Sequence, residues 1–357
     1  MELTIHNQVE ALPKKETATD KRAATGSADG SSALASKSVN AKGPVFILAV
    51  PRSFSSVACA MLGQHPQMYG LPELHLFRYE TVAERALACA RAPKAMGHGL
   101  LRAIAQLYFG GQNDSAIELA EGWLRRRTHF TTGYLFEKIA ARIAPAIPVE
   151  KSPSMVYSVD AMDRAHTMFP DATFIHLTRH PRGQGESILK FIDERKRYGP
   201  IPRSHWLVHL ARFPNLSRSN FRQAELSPEP DPQKGWYVLN HNICKFLESV
   251  PENRKLRIRG EDLLTKPDEI LRFIAGSLGL RADDVAIEDM KHPERSPYAC
   301  FGPARARYGS DALFLSNPAL RPQQVQPQSL AGPLSWRHDN AGFLPRVKEL
   351  AIMIGYE

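Results

Sequence analysis

The sequence lacks the marks of a disulfide scaffold, a zinc protein or a membrane protein. Only four of its 357 residues are cysteine, and Cys59, Cys89, Cys244 and Cys300 lie far apart with no C-x-x-C pair. That spacing argues against a disulfide framework or a cysteine-rich zinc site and fits a reducing compartment. The N-terminus has no apolar h-region of the kind a secretory signal needs. No uninterrupted apolar run is long enough to span a bilayer. A soluble, cytoplasmic protein is the expectation. No zinc-finger spacing or aromatic RNA-binding signature accompanies the formal net charge of +9, so nucleic acid is not the expected partner. The charge does imply attraction to anions, large or small. Residues 1–42 contain no aromatic side chain and no hydrophobic period. Such a segment cannot bury enough surface to offset its ordering, so a disordered tail is expected there, with the folded domain running over 43–357.

What is present is concentrated in one stretch. Val45-Phe-Ile-Leu-Ala-Val50 reads as a strand buried on both faces, and it runs into Pro51-Arg-Ser-Phe-Ser-Ser56. Pro51 removes a backbone donor, and Ser53, Ser55 and Ser56 are placed to cap the helix Val57–Leu62. A strand, a hydroxyl-rich turn and a helix N-terminus make an anion site, because free N–H groups and the helix dipole face the turn. Arg52 adds a permanent cation. An ordinary N-cap would explain the serines but not the arginine.

Further along, Met68–Pro72 reads as a short extended stretch. Helical patterns follow over 80–90, 99–108, 115–126 and 135–143. Ile147–Lys151, Thr173–Thr178 and Lys255–Arg259 read as strands, with helices over 155–168, 181–191, 236–250, 267–278 and 345–354. Strands separated by helices argue for an α/β fold, a parallel sheet flanked by helices on both faces. Ligands of such sheets bind at the carboxyl ends of the strands. Arg52, Lys151 and Arg179 would all stand on that edge. Residues 198–235, rich in Pro, Ser and Asn, read as a lid or insertion, with a plain surface loop as the competing reading. Residues 291–345 read as a loop-rich C-terminal extension that would cover the acceptor or cofactor.

These residues carry a resemblance. Pro51-Arg-Ser-Phe-Ser-Ser56 and Arg179-His-Pro181 with Ser187 resemble the paired loops of the sulfotransferases that use 3′-phosphoadenosine-5′-phosphosulfate, PAPS. That family has P-R-S-G-S-S/T after its first strand, and R-x-P with a serine eight residues after the arginine. Glu150-Lys-Ser-Pro153 is similar to its K-T-P segment, and Leu256–Leu264 to its strand followed by E-D-L. The similarity covers about 44–280. The loop-rich end, with Ser296-Pro-Tyr298, Asp311 and Leu334–Asp339, is similar to bacterial members, including those acting on carrier-bound intermediates. The resemblance implies a P-loop-like sheet. It implies transfer of a sulfuryl group from PAPS to a hydroxyl or amine of a metabolite, natural-product intermediates on an acyl or peptidyl carrier protein included. Arg52, Ser53, Phe54, Ser55 and Ser56 would hold the 5′-phosphosulfate, Arg179 and Ser187 the 3′-phosphate, and no metal is required. The alternatives are a P-loop-type small-molecule kinase, which would need the G-x-x-x-x-G-K-S/T loop missing here, and a non-catalytic nucleotide- or nucleic-acid-binding protein.

Phe54 stands where the family has glycine; the reading taken here is that the turn needs no positive φ. For the chemistry, Arg52 would stabilise charge on the leaving phosphate, with Lys151 as second choice. A salt bridge to Glu150 or another carboxylate is the competing reading for Lys151. The place after the second strand where many relatives carry a histidine reads Lys151-Ser-Pro153, so a base must come from elsewhere. Glu73 is one candidate, with a pKa raised by burial and with His75 as its support. His292 is the other, from its resemblance to an acceptor-side histidine of carrier-linked members. Arg305 and Arg307 could meet the 3′-phosphate but serve equally well as solvated cations.

Overall fold

The computed structural model describes residues 43–91, 94–196, 231–322 and 325–357. The expected tail, residues 1–42, and residues 198–230 of the expected lid lie outside the described residues.

Five strands form one parallel sheet. The first, β1 (Val45–Leu48), leads through α1 (Ser55–Leu62) to β2 (Met68–Gly70). Four helices follow, α2 (Val82–Arg91), α3 (His98–Phe109), α4 (Asp114–Arg125) and α5 (Thr132–Ile143), before β3 (Ile147–Glu150). Then come α6 (Val159–Met168), β4 (Thr173–Thr178), α7 (Pro181–Lys196), α8 (Pro232–Ser249) and β5 (Lys255–Arg259). The strand order is β2-β3-β1-β4-β5. Val45 sits opposite Val149 of β3 and Thr173 of β4, which makes β1 an interior strand. Its residues alternate between two cores. Phe46 and Leu48 join one with Phe136, Phe174 and Phe246, while Val45 and Ile47 join the other with Ala58, Leu62 and Ile274. This is why the run shows no alternation in sequence, since both faces of the strand are covered.

The short stretch 68–72 supplies an edge strand, β2, paired with β3 through Met68 and Ile147. The single helix expected over 155–168 is two pieces. A 3₁₀ turn spans Pro153–Tyr157, and α6 starts afresh where the Ser158 side chain accepts the Ala161 N–H. The capping hydroxyl competes with helix continuation at that point.

After β5 the chain runs through α9 (Gly260–Thr265), α10 (Pro267–Ser277) and α11 (Asp284–Met290). Between Lys291 and α13 (Pro345–Met353) the described residues include 3₁₀ turns at Pro293–Arg295 and Ala304–Ala306 and the five-residue α12 (Ala312–Ser316). This extension is anchored. Leu330, Leu334, Phe343 and Val347 pack with Trp236 of α8 in a third cluster, and the Trp336 indole donates to Asp231 at 3.0 Å. The chain leaves β1 toward β2 on one side and β4 toward β5 on the other. The connections therefore part between β1 and β4, and a crevice at such a point is where open α/β sheets bind ligands.

Candidate active site

The turn after β1 is built almost entirely from buried polar groups: Ser53, Ser55 and Ser56 are each less than a tenth exposed. The serines do not cap α1. Its N-cap is Phe54, at φ 60° and ψ 11°, with no side-chain capping bond. The first intrahelical bond runs from Ala58 N–H to the Phe54 carbonyl. Among the described residues nothing accepts from the N–H groups of Ser55, Ser56 and Val57, and the buried Ser53 Oγ has no partner. A turn that aims free donors at the end of a strand is a cradle for an anion.

The expectation that this turn needs no positive φ is overturned. Arg52 at 72° and Phe54 at 60° are both left-handed. The Arg179 guanidinium lies 4.2 Å from the centroid of the Phe54 ring. On the other side Gly260 makes the room, since a Cβ there would come within 2.7 Å of Phe54 Cδ2. A desolvated cation–π contact is worth up to about 2 kcal/mol. The left-handed penalty for a non-glycine residue is about 1–2 kcal/mol, so the two are of similar size. Four non-glycine residues have positive φ among those described, and three of them, Arg52, Phe54 and His75, border this site. Backbone strain gathers at functional sites because surrounding contacts must hold it in place.

The turns after β1 and β4 are laced together. Arg179 Nη1 donates to the Arg52 carbonyl at 2.6 Å, Gln184 Nε2 to the Pro51 carbonyl at 3.0 Å, and Trp236 Nε1 to the Arg179 carbonyl at 2.8 Å. Burial pulls the Arg179 pKa down to about 10. Arg52 Nε donates to Ser187 Oγ at 3.2 Å. Two residues expected to hold opposite ends of a nucleotide thus touch each other. The Arg52 guanidinium also pairs with Asp311, which begins α12.

Beside this turn lies a small cleft with about 20 Å³ of free volume, lined by Ser56, Cys59, Glu73, Lys151, Tyr298 and Phe314 among others. That is room for about one water molecule. Lys151 Nζ donates to Ser56 Oγ at 3.0 Å and pairs with Glu73, not with its neighbour Glu150. Glu73 is held by its backbone, whose N–H donates to the Gly309 carbonyl at 2.7 Å. The first turn of α3 closes on it, and Gly99 is required there because a Cβ would strike the Glu73 carbonyl. His75 Nε2 lies 3.3 Å from the Glu73 carboxylate, and its Nδ1 lies 2.8 Å from Ser154 Oγ.

The expected rise in the Glu73 pKa is corrected. Burial pushes it up, but Lys151 and His75 outweigh burial and hold it down at about 2. The raised carboxyl is Glu150 instead. It is fully buried; one oxygen accepts from the Ser152 hydroxyl and the Leu74 N–H, and the other has no partner. Burial lifts its pKa to about 7.

His292 does not line this cleft. Its Nδ1 lies 2.8 Å from Glu294 and its Nε2 3.5 Å from Glu288, both surface carboxylates. Arg305 reaches Glu118 at 3.8 Å, and Arg307 lies over the Phe301 ring. The expectation of a covering segment over 291–345 did not say which side chains would face Lys151. Ser296, Tyr298, Ser310 and Phe314 come from the C-terminal extension, and no spacing signal ties them to the strand ends. Asp311 could be found only through the resemblance of its loop. No group of three or more His, Cys, Asp or Glu side chains among the described residues is placed to hold a metal ion. No described helix is long and apolar enough to cross a membrane.

No curated protein matches the sequence. Among solved structures, the chain is similar to the sulfotransferase domain from the curacin biosynthetic pathway, with 21% identity, 88% of this chain and 98% of that one covered, and a TM-score of 0.64. It is similar also to the sulfotransferase domain of the Synechococcus PCC 7002 olefin synthase, at 23% identity, 90% and 97% coverage and a TM-score of 0.63. At these identities the likeness speaks for the fold, the P-loop-like parallel sheet with helices on both faces. The sequence itself carries the family: a model described as the sulfotransferase family matches residues 44–284, the stretch that builds the sheet, the β1 turn and the β4 turn. The chain therefore belongs to the sulfotransferase family, and the protein is a sulfotransferase enzyme.

Proposed function

We propose that the protein transfers a sulfuryl group from PAPS to a hydroxyl or amine of a metabolite, with natural-product intermediates on an acyl or peptidyl carrier protein among its acceptors. One observation carries this reading. The β1 turn, with its free N–H groups and Arg52, is bonded directly to the β4 turn that bears Arg179 and Ser187. Two cationic turns this close suit a nucleotide carrying anionic groups at both 3′ and 5′ positions, more than a single phosphate. The unpartnered buried hydroxyl of Ser53 supports the fit, since a buried polar atom without a partner is costly unless a ligand supplies one.

In the reaction the acceptor oxygen or nitrogen attacks sulfur as the bond from sulfur to the bridging oxygen breaks. The electron pair of that bond leaves with the 5′-phosphate. Arg52 and Lys151 stabilise the charge that grows there; an arginine keeps its proton at neutral pH, so its part is electrostatic. The acceptor proton goes to Glu73 rather than to His292, because Glu73 lines the cleft and shares Ser56-bound Lys151 with the anion turn. A carboxylate held near pKa 2 is always in the base form but is a weak base. That is sufficient where the transition state is loose and the acceptor proton leaves late, as in phosphoryl transfer.

The test is calorimetry with adenosine 3′,5′-bisphosphate. The intact protein should bind it, and Arg179→Ala should weaken binding by at least tenfold. No binding by the intact protein would remove the reading. The carrier part is tested separately, by comparing labelled sulfate transfer to a hydroxyacyl chain on a carrier protein and to the same chain as a free thioester.

A further inference from the structure

Two of the side chains that would meet the donor's 5′ anion, Arg52 and Ser56, are already engaged by the protein itself, and both meet Asp311. Asp311 divides its functional groups between two tasks. One carboxylate oxygen accepts the N–H of Leu313 at 2.9 Å and of Phe314 at 3.3 Å, capping α12. The other pairs with Arg52 Nη1. The Asp311 N–H approaches Ser56 Oγ at 3.4 Å, the hydroxyl that also receives Lys151. On either side of Asp311, Ser310 and Phe314 line the cleft. The Arg52 and Asp311 side chains are 11% and 28% exposed, so water only partly screens the pair.

We propose that Asp311 is an internal competitor for the donor: its carboxylate occupies the Arg52 guanidinium, and binding of a 5′-anionic nucleotide requires Arg52 to exchange Asp311 for the ligand. This rests on the donor reading given above. It makes Asp311 a positioning residue that acts through Arg52 and sets how strongly the site demands negative charge at the 5′ end. A state in which the cation is already paired lowers the apparent affinity by the fraction of molecules so occupied. The bond to Ser187 is a second consequence. While Asp311 holds Nη1, Arg52 Nε donates to Ser187 of the β4 turn, so the guanidinium is engaged on two sides before a ligand arrives.

The variant that isolates the effect is Asp311→Asn. Asparagine caps helices as well as aspartate does, so α12 and its fold are retained while the charge on Arg52 is removed. Calorimetry should compare wild type and Asp311→Asn with two ligands, adenosine 3′,5′-bisphosphate and adenosine 3′-monophosphate. The expected result is about tenfold tighter binding of the bisphosphate, no change for the 3′-monophosphate, and loss of the gain in the double variant Arg52→Ala/Asp311→Asn. If wild type binds the bisphosphate and Asp311→Asn binds it equally or less well, the competitor role is overturned while the donor reading stands. Equal tightening of both ligands overturns it too, because a general loosening of the loop would act on either. If neither protein binds the bisphosphate, the donor reading itself fails and takes the competitor with it.

Discussion

Replacing Phe54 offers a direct test of the left-handed turn at the heart of the site. Two substitutions remove the ring, Phe54→Ala and Phe54→Gly, and they differ only in what the backbone tolerates. Both lose the contact with Arg179 at 4.2 Å and the packing of a half-buried aromatic, together about 2–3 kcal/mol. Alanine keeps the cost of φ 60°, about 1–2 kcal/mol for a residue with a Cβ. Glycine escapes that cost but loses about 0.5–1 kcal/mol of backbone entropy on folding. Phe54→Gly should therefore be more stable than Phe54→Ala by about 0.5–1 kcal/mol, the reverse of the order at an ordinary position. Urea unfolding followed by tryptophan fluorescence reads this as a midpoint difference of about 0.2–0.3 M, for a slope of about 3 kcal/mol/M that is equal in both variants. An alanine variant as stable as the glycine variant would refute the left-handed assignment and, with it, the account of why the family's glycine can be replaced.

Other expectations follow from the same geometry. Glu73→Gln should lower kcat about a hundredfold while leaving the affinity for adenosine 3′,5′-bisphosphate within twofold, because it removes a base and not an anion ligand; unchanged turnover would assign the base elsewhere. Glu150 has a folded pKa of about 7 against an ordinary 4.5, so between those values the folded protein keeps a proton that the unfolded chain has released. Its contribution to stability is full below pH 4.5 and is lost as pH rises to 7. Wild type should lose stability relative to Glu150→Gln across that window, and parallel urea midpoints at pH 5 and pH 7.5 would speak against it.

Much of this site was legible because its parts are short range. A doubly covered strand such as Val45–Leu48 announces itself by an apolar run, and a cation soon after a strand end is visible within four residues. Arg52, Lys151 and Arg179 could be placed on one edge from those two rules alone. The edge strand Met68–Gly70 was less visible, since three residues ending in glycine carry little β signal and gain their partner from β3. Pairings across long separations were not legible. Glu73 was expected to have a raised pKa as a carboxyl buried beside an apolar acceptor pocket. Its electrostatics are decided by Lys151, 78 residues away. The role of Phe54 depends likewise on Gly260 and Arg179, which no local pattern connects to it. His292 came from a motif likeness, which carries no distance: its ring lies beside Glu294 and Glu288 and lines no part of the cleft.

The stretch that matches the family ends at residue 284, yet Ser296, Tyr298, Ser310 and Phe314 line the cleft from beyond it and Asp311 pairs there with Arg52. The two walls of the cleft are thus encoded in separate lengths of chain, one fixed to the sheet and one carried by the extension packed on α8. Substitutions at Ser296, Tyr298 or Phe314 can reshape the wall facing Lys151, whereas Asp311 ties that wall to the strand-end cation Arg52, so the two halves of the site are free to diverge everywhere but at this pair.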